Sequence, residues 1–119
     1  MLPKQHRITK DKEFALVFDQ GKSYATKLLI LKAMPNNSNI SRFGFIVSAK
    51  VSKKACQRSK IKRWLRESAR RFLKQNADVF FDIVVVARKE SLDANFKIIQ
   101  NDFKFLISKI IHFYEKNNH

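Results

Sequence analysis

Apolar positions along the chain follow a helical rhythm near both ends and in the middle, and a strand-like rhythm between these stretches. From Thr9 to Gln20, Phe14, Val17 and Phe18 fall at helical spacing, with Thr9 as the expected N-cap and Gly21 suited to the position just past the end. Ser23 to Met34 has an apolar, β-branched centre that predicts a strand, stopped by the turn-rich PNNSN. Phe43 to Ser48 alternates Phe43, Phe45 and Val47 against Gly44, Ile46 and Ser48. Both of its faces are partly apolar, which predicts a sheet covered on one side and lined for a partner on the other. In the basic stretch 50–74, Ile61, Leu65 and Phe72 gather on one side of a helical wheel, with Lys62, Arg63, Arg66 and Arg70 roughly opposite. Phe81 to Ala87 is a near-continuous apolar run, the pattern of a central strand buried on both faces. From Leu92 to Tyr114, Phe96, Ile99, Phe103, Leu106, Ile107 and Ile110 recur as the inner face of a packing helix. Helix, strands, basic helix, strand, helix is the order of an α+β sandwich, here expected to be one domain over residues 1–119 without repeats, linkers or low-complexity segments.

Charge adds what periodicity cannot. The 119 residues hold 25 Lys and Arg against 10 Asp and Glu, a net +15. So much self-repulsion points to a polyanionic partner. A membrane is the weaker reading. No apolar run approaches the roughly 20 residues of a spanning helix. The start, MLPKQHRITKDKEF, also lacks the apolar core of a secretory signal. A cytoplasmic address with no membrane partner is therefore expected, and no obligate protein partner is evident. Cys56 is the only cysteine, which excludes an internal disulfide and a cysteine-rich zinc site. It reads as a small, semi-buried filler in preference to a reactive thiol.

Autonomous catalysis has little to work with. The acids are scattered, and His6, His112 and His119 lie near the termini. Gly21 and Gly44 are the only glycines, so no phosphate-cradling loop exists, and no protein metal site is expected. The basic helix is more informative. From Lys50 to Lys74 it carries eleven Lys and Arg and one acid, Glu67. Arg58, Lys62, Arg66 and Arg70 repeat at four-residue spacing, an arrangement that destabilises an isolated helix and makes sense against phosphate. Phe14 and Phe18 stay open: spacing alone favours core, while flanking Arg7, Lys10 and Lys22 suit an aromatic face that stacks splayed bases. Trp64, between the two arcs of its helix, reads as a packing residue.

The segment RSKIKRWLRES resembles the R-N-x-x-K-R-x-x-R-E signature of the bacterial ribonuclease P protein family, with Arg58, Lys62, Arg63, Arg66 and Glu67 matching. LPKQHRITKDKEFALVFDQGKSYA, FGFIVSAKVSKKA and FDIVVVARKE are similar to other family segments in the same order. Ser59 replaces the usual Asn, Ala49 stands where Lys is common, and Lys32 stands where some relatives carry an aromatic residue. The resemblance implies an αβββαβα fold with an extra short strand near Lys22 to Ala25 and a left-handed βαβ crossover through the basic helix. It also implies that a large RNA subunit binds Mg²⁺ and cleaves precursor tRNA, while the protein assists. Lys53, Lys54, Arg58, Ser59, Lys62, Arg63, Arg66 and Arg70 would then face the catalytic RNA. Arg7, Lys10, Phe14, Phe18, Lys22, Lys32 and Ser48 would serve the single-stranded 5′ leader. Two other readings stand beside this one: a ribosomal or duplex-RNA binding module, motivated by charge and mixed α/β pattern, and an autonomous metal nuclease, motivated only by association with cleavage.

Overall fold

The structure, a computed structural model, describes residues 2–76 and 79–117; His119 lies outside them. After a 3₁₀ turn at Lys4–His6 come α1 (Asp11–Gln20), β1 (Lys22–Ala25), β2 (Leu29–Pro35), β3 (Arg42–Ile46), α2 (Ala55–Gln75) and β4 (Phe81–Ala87). A second 3₁₀ turn, Lys89–Asp93, leads into α3 (Phe96–Asn117). The order is αβββαβα. Among the described residues no helix is long and apolar enough to cross a membrane.

Several boundaries differ from expectation, each for a local reason. Lys10, not Thr9, is the N-cap of α1, because Glu13 Oε1 reaches back to accept the Lys10 N–H at 3.3 Å. Gly21 is extended, with φ −76°. Crowding explains it better than a left-handed turn, since a Cβ there would press on the carbonyl oxygens of Val17 and Ala33. The single strand expected over Ser23–Met34 is a hairpin of β1 and β2. Its turn is closed by Thr26, whose Oγ1 accepts the N–H groups of Leu28 and Leu29 at 3.2 and 3.1 Å. β3 ends two residues short of Ser48. The basic helix starts at Ala55 rather than Lys50, and α3 starts at Phe96 rather than Leu92, where Asn95 Oδ1 accepts the Ile98 N–H at 3.0 Å.

The sheet order is β1-β2-β4-β3. β2 pairs antiparallel with β1 and β4, while β3 and β4 run parallel and are joined through α2. β4 is thus central, and all its residues except Val86 are buried. One face of the sheet carries Leu29, Leu31, Ala33, Phe43, Phe81, Ile83 and Val85 into the main core beneath α2 and α3. Phe43 lies at its heart, with ring centroids 6.1, 5.9 and 6.1 Å from Phe45, Phe72 and Phe103. Of the eleven phenylalanines, Phe43, Phe72, Phe81 and Phe103 are buried in this core. The other face is only partly covered. There α1 lays Val17 against Ile8 and Val84 in a smaller cluster flanked by Phe14, Met34, Ile46 and Val86. Ile30, Lys32, Ile46 and Val86 remain half-exposed beside it.

Candidate nucleic-acid interface

The outer face of α2 and the half-covered face of the sheet meet at β3. Helix α2 buries Ile61, Leu65, Ser68, Ala69 and Phe72 and turns its cations outward. No acid stands in its first turn. Lys53 and Lys54 are exposed just ahead of it, Lys54 as the N-cap, a placement the helix dipole disfavours unless an anion joins them. Ser59 is exposed as well, so its shorter side chain leaves the interior untouched. Cys56 is exposed in the first turn, which corrects its reading as a semi-buried filler.

The four-residue stripe is not uniform. Arg58 is half-buried and its Nη1 donates to the Ser52 carbonyl at 2.8 Å, tying down the loop that leads into α2. Arg70 donates to both oxygens of Glu67 at 2.9 and 2.6 Å, and Arg71 Nε reaches the same carboxylate at 3.0 Å. These two guanidinium groups, Arg70 first, lower the Glu67 pKa to about 2. The expectation of an unrelieved stripe is therefore corrected at Arg70, whose charge Glu67 partly offsets. Lys62, Arg63 and Arg66 are ion-paired to no carboxylate among the described residues, and Arg63 and Arg66 are exposed.

A depression lined by Arg7, Ile8, Thr9, Phe14, Phe43, Gly44, Phe45, Lys62 and Arg66, with Leu2 at its end, joins this helix to the sheet. Its lining combines apolar Ile8, Phe14, Phe43 and Phe45 with cationic Arg7, Lys62 and Arg66. Phe14 is half-buried and lies directly over Gly44, where a Cβ would overlap its ring. A glycine inside the strand thus lets an aromatic ring approach the backbone. Arg7 is fixed at the rim, with Nε donating to the Leu2 carbonyl at 2.9 Å. Its own depression, shared with Lys10, adjoins Glu13 and Arg42.

Phe18 lies one turn along α1 from Phe14 and is 38% exposed. Lys32 stands over its ring at 4.9 Å and donates to its carbonyl at 3.4 Å. Ser48 sits just beyond β3, its Oγ accepting the Lys50 N–H at 3.3 Å. The structure therefore brings Lys10, Phe14, Phe18 and Lys32 to the α1 side of the sheet, with Arg7 beside the edge strand β3, bridged to Phe43, and Ser48 at the end of β3. Lys22 stands apart from them, with its Nζ 5.2 Å from the Tyr24 ring and 4.8 Å from Phe113 on the α3 side. Trp64 packs against the main core, as expected, under Lys60 at 5.2 Å.

The periodicity gave no sign of the network that holds α1 on the sheet. Arg42 Nε and Nη2 donate to the buried Asp82 at 2.9 and 2.6 Å, and its Nη1 pairs with Glu13 of α1. Asn36 Nδ2 adds a bond to Asp82 Oδ1 at 2.9 Å. The Arg42 hydrogen bond holds the Glu13 carboxyl below its usual value, and the two carboxylates, Asp82 first, raise the Arg42 pKa. Its members lie 29 and 40 residues apart, beyond the reach of any local pattern. Among the described residues no three His, Cys, Asp or Glu side chains cluster as a metal site.

Known proteins carry the same pattern. A family model described as Ribonuclease P matches residues 2–111. The chain is 40% identical over 106 residues to the ribonuclease P protein component of Clostridium botulinum, covering 89% of this chain and 95% of that protein. Its structure is similar to the RNase P protein of Staphylococcus aureus, with a TM-score of 0.76 and 30% identity over 88% of this chain and 96% of that one. It is also similar to the RNase P protein from Thermotoga maritima, with a TM-score of 0.72 and 33% identity over 82% and 90%. With the signature residues gathered on one exposed helix and the match running through nearly every element, the chain belongs to the ribonuclease P protein family.

Proposed function

We propose that the chain is the protein subunit of ribonuclease P. It binds the catalytic RNA through the outer face of α2 and holds the single-stranded 5′ leader of precursor tRNA across α1 and the half-covered sheet face. The observation that carries this reading is the shared depression, in which Phe14 from α1 and Lys62 and Arg66 from α2 line one cavity. Stacking groups and phosphate-binding groups are thereby within one span of nucleic acid. Phosphodiester hydrolysis belongs to the RNA. Glu13, which lines the depression next to the cleft, and Asp82 are both engaged by Arg42, so this donor set does not fit a hydrated divalent cation. Mg²⁺ is accordingly assigned to the RNA and substrate. The chain's cations reduce phosphate repulsion, which lowers the Mg²⁺ needed for assembly.

Reconstitution tests this. Cleavage of a precursor tRNA by the RNA subunit at low Mg²⁺ is expected to rise on adding the chain, and to rise more for a substrate with a leader than for one without. Unchanged cleavage would remove the assignment, and equal stimulation of both substrates would point to a reader of duplex shape.

A further inference from the structure

On the face opposite α1, three aromatic rings and two lysines alternate across β1 and α3. Lys22 Nζ lies 4.8 Å from the centroid of Phe113 and 5.2 Å from that of Tyr24. Lys109 Nζ lies 5.6 Å from Tyr24 and 5.1 Å from Phe105. The order in space is therefore Phe113, Lys22, Tyr24, Lys109, Phe105. Phe105 is 53% exposed, and Ile98 on the same helix is 46% exposed. Neither lysine is ion-paired among the described residues. Asp102, on the turn before Phe105, accepts the Thr26 hydroxyl at 2.7 Å.

Packing of the core does not require Phe105, which points to solvent from a helix whose inner face is already filled by Ile99, Phe103, Leu106 and Ile110, while Tyr24 beside it rests half-buried on the core. One exposed ring, Phe105, and two half-buried ones, Tyr24 and Phe113, interleaved with ammonium groups that have no carboxylate partner among the described residues, have the chemistry of a single-stranded nucleic-acid platform, where rings stack bases and cations meet phosphates. A second copy of the chain is a poorer occupant, because the lysines of two such faces would oppose each other on molecules that each carry +15. We propose that the Phe105–Lys109–Tyr24–Lys22–Phe113 ladder is a second binding surface for single-stranded RNA. It is separate from the leader cleft and independent of which RNA occupies that cleft.

The test uses the full chain and a single-stranded oligouridine probe carrying a photoreactive base. Titration is expected to saturate beyond one probe per chain, with crosslinks in β1 and α3 as well as in α1 and β2. Combining Phe105→Ala with Lys109→Ala should weaken the second class of sites about tenfold, the loss of roughly one stacked base, while Phe18→Ala leaves that class intact. Phe105 is more than half exposed, so its truncation should preserve the melting curve. If the double variant does not fold, Lys109→Gln alone decides, again by weakening the second class. Saturation at one probe with every crosslink on α1 and β2 would overturn the proposal. So would full competition by a blunt RNA duplex, or a dimer in sedimentation that Phe105→Ala dissolves.

Discussion

Phe14 and Gly44 work as a pair, since the ring occupies the space a Cβ at position 44 would need. Gly44→Ala should therefore cost about 1–3 kcal/mol by overpacking and displace the ring from the depression it lines. A lower urea midpoint together with reduced preference for leadered substrate checks this. Helical spacing suggested that Phe14 is core, and family resemblance suggested that it is a cleft residue. The ring is half-buried over Gly44, packs beside Ile8, and also lines the depression shared with Lys62 and Arg66. A glycine within a strand pattern signals close approach, but not by which side chain, since the partner lies on another element. Arg42 poses the same problem more sharply, because nothing local marks it as the link between α1 and β4. Arg42→Met should leave Asp82, whose side chain is 8% exposed, without its cation and cost about 3–5 kcal/mol. Glu13→Gln has a pH signature. The native pKa of Glu13 lies below its unfolded value, so its pairing stabilises the fold above the ordinary glutamate range and is lost as pH falls through the lowered native value. The stability gap between wild type and Glu13→Gln should thus narrow in acid, whereas a gap constant from neutral to acid pH would show that the pairing contributes nothing.

At the scale of elements, the cations of α2 are not equivalent. Arg66 is exposed and ion-paired to no described residue, whereas Arg58 holds the Ser52 carbonyl. Arg66→Ala should leave the melting temperature unchanged and flatten the salt dependence of binding to the RNA subunit by about one contact, a slope change of roughly 0.7–0.9. Arg58→Ala should lower both affinity and stability, because the loop Lys50–Lys54 loses its tether. Equal melting temperatures for the two variants would mean that the tether is dispensable. The sequence made this helix legible, since its apolar arc and cationic arc are both long and regular. Periodicity hid the hairpin of β1 and β2, whose short first strand only the family resemblance implied, because its turn holds Thr26, Lys27 and Leu28 instead of Gly, Pro or Asn. The turn is made by a threonine hydroxyl, a signal too common to read without coordinates. It likewise hid that Lys22 points to the α3 side, because a strand's facing depends on register, and the register follows from that unseen turn.

For the whole molecule, the question is whether the two proposed RNA contacts act separately or as one surface. Phe14, Lys62 and Arg66 line one depression. Arg63 lies farther round α2, in a hollow shared with Arg66, Glu67 and Arg70, while Phe18 stands with Lys32 one turn farther along α1. If leader and catalytic RNA are held across that shared depression, moving the ring alters what the neighbouring cations can reach. Phe14→Ala and Arg66→Ala should then be non-additive in kcat/KM for a leadered precursor, with an interaction of about 0.5–3 kcal/mol, whereas Phe18→Ala and Arg63→Ala should add within about 0.5 kcal/mol. Leaderless substrate provides the internal control, since the Phe14–Arg66 coupling should vanish when no strand crosses the depression. Additive behaviour of both pairs on the leadered substrate would mean that the helix and the cleft grip their RNAs independently. Coupling that persists without a leader would instead trace to the fold, through the packing of Phe14 on Gly44 beside α2.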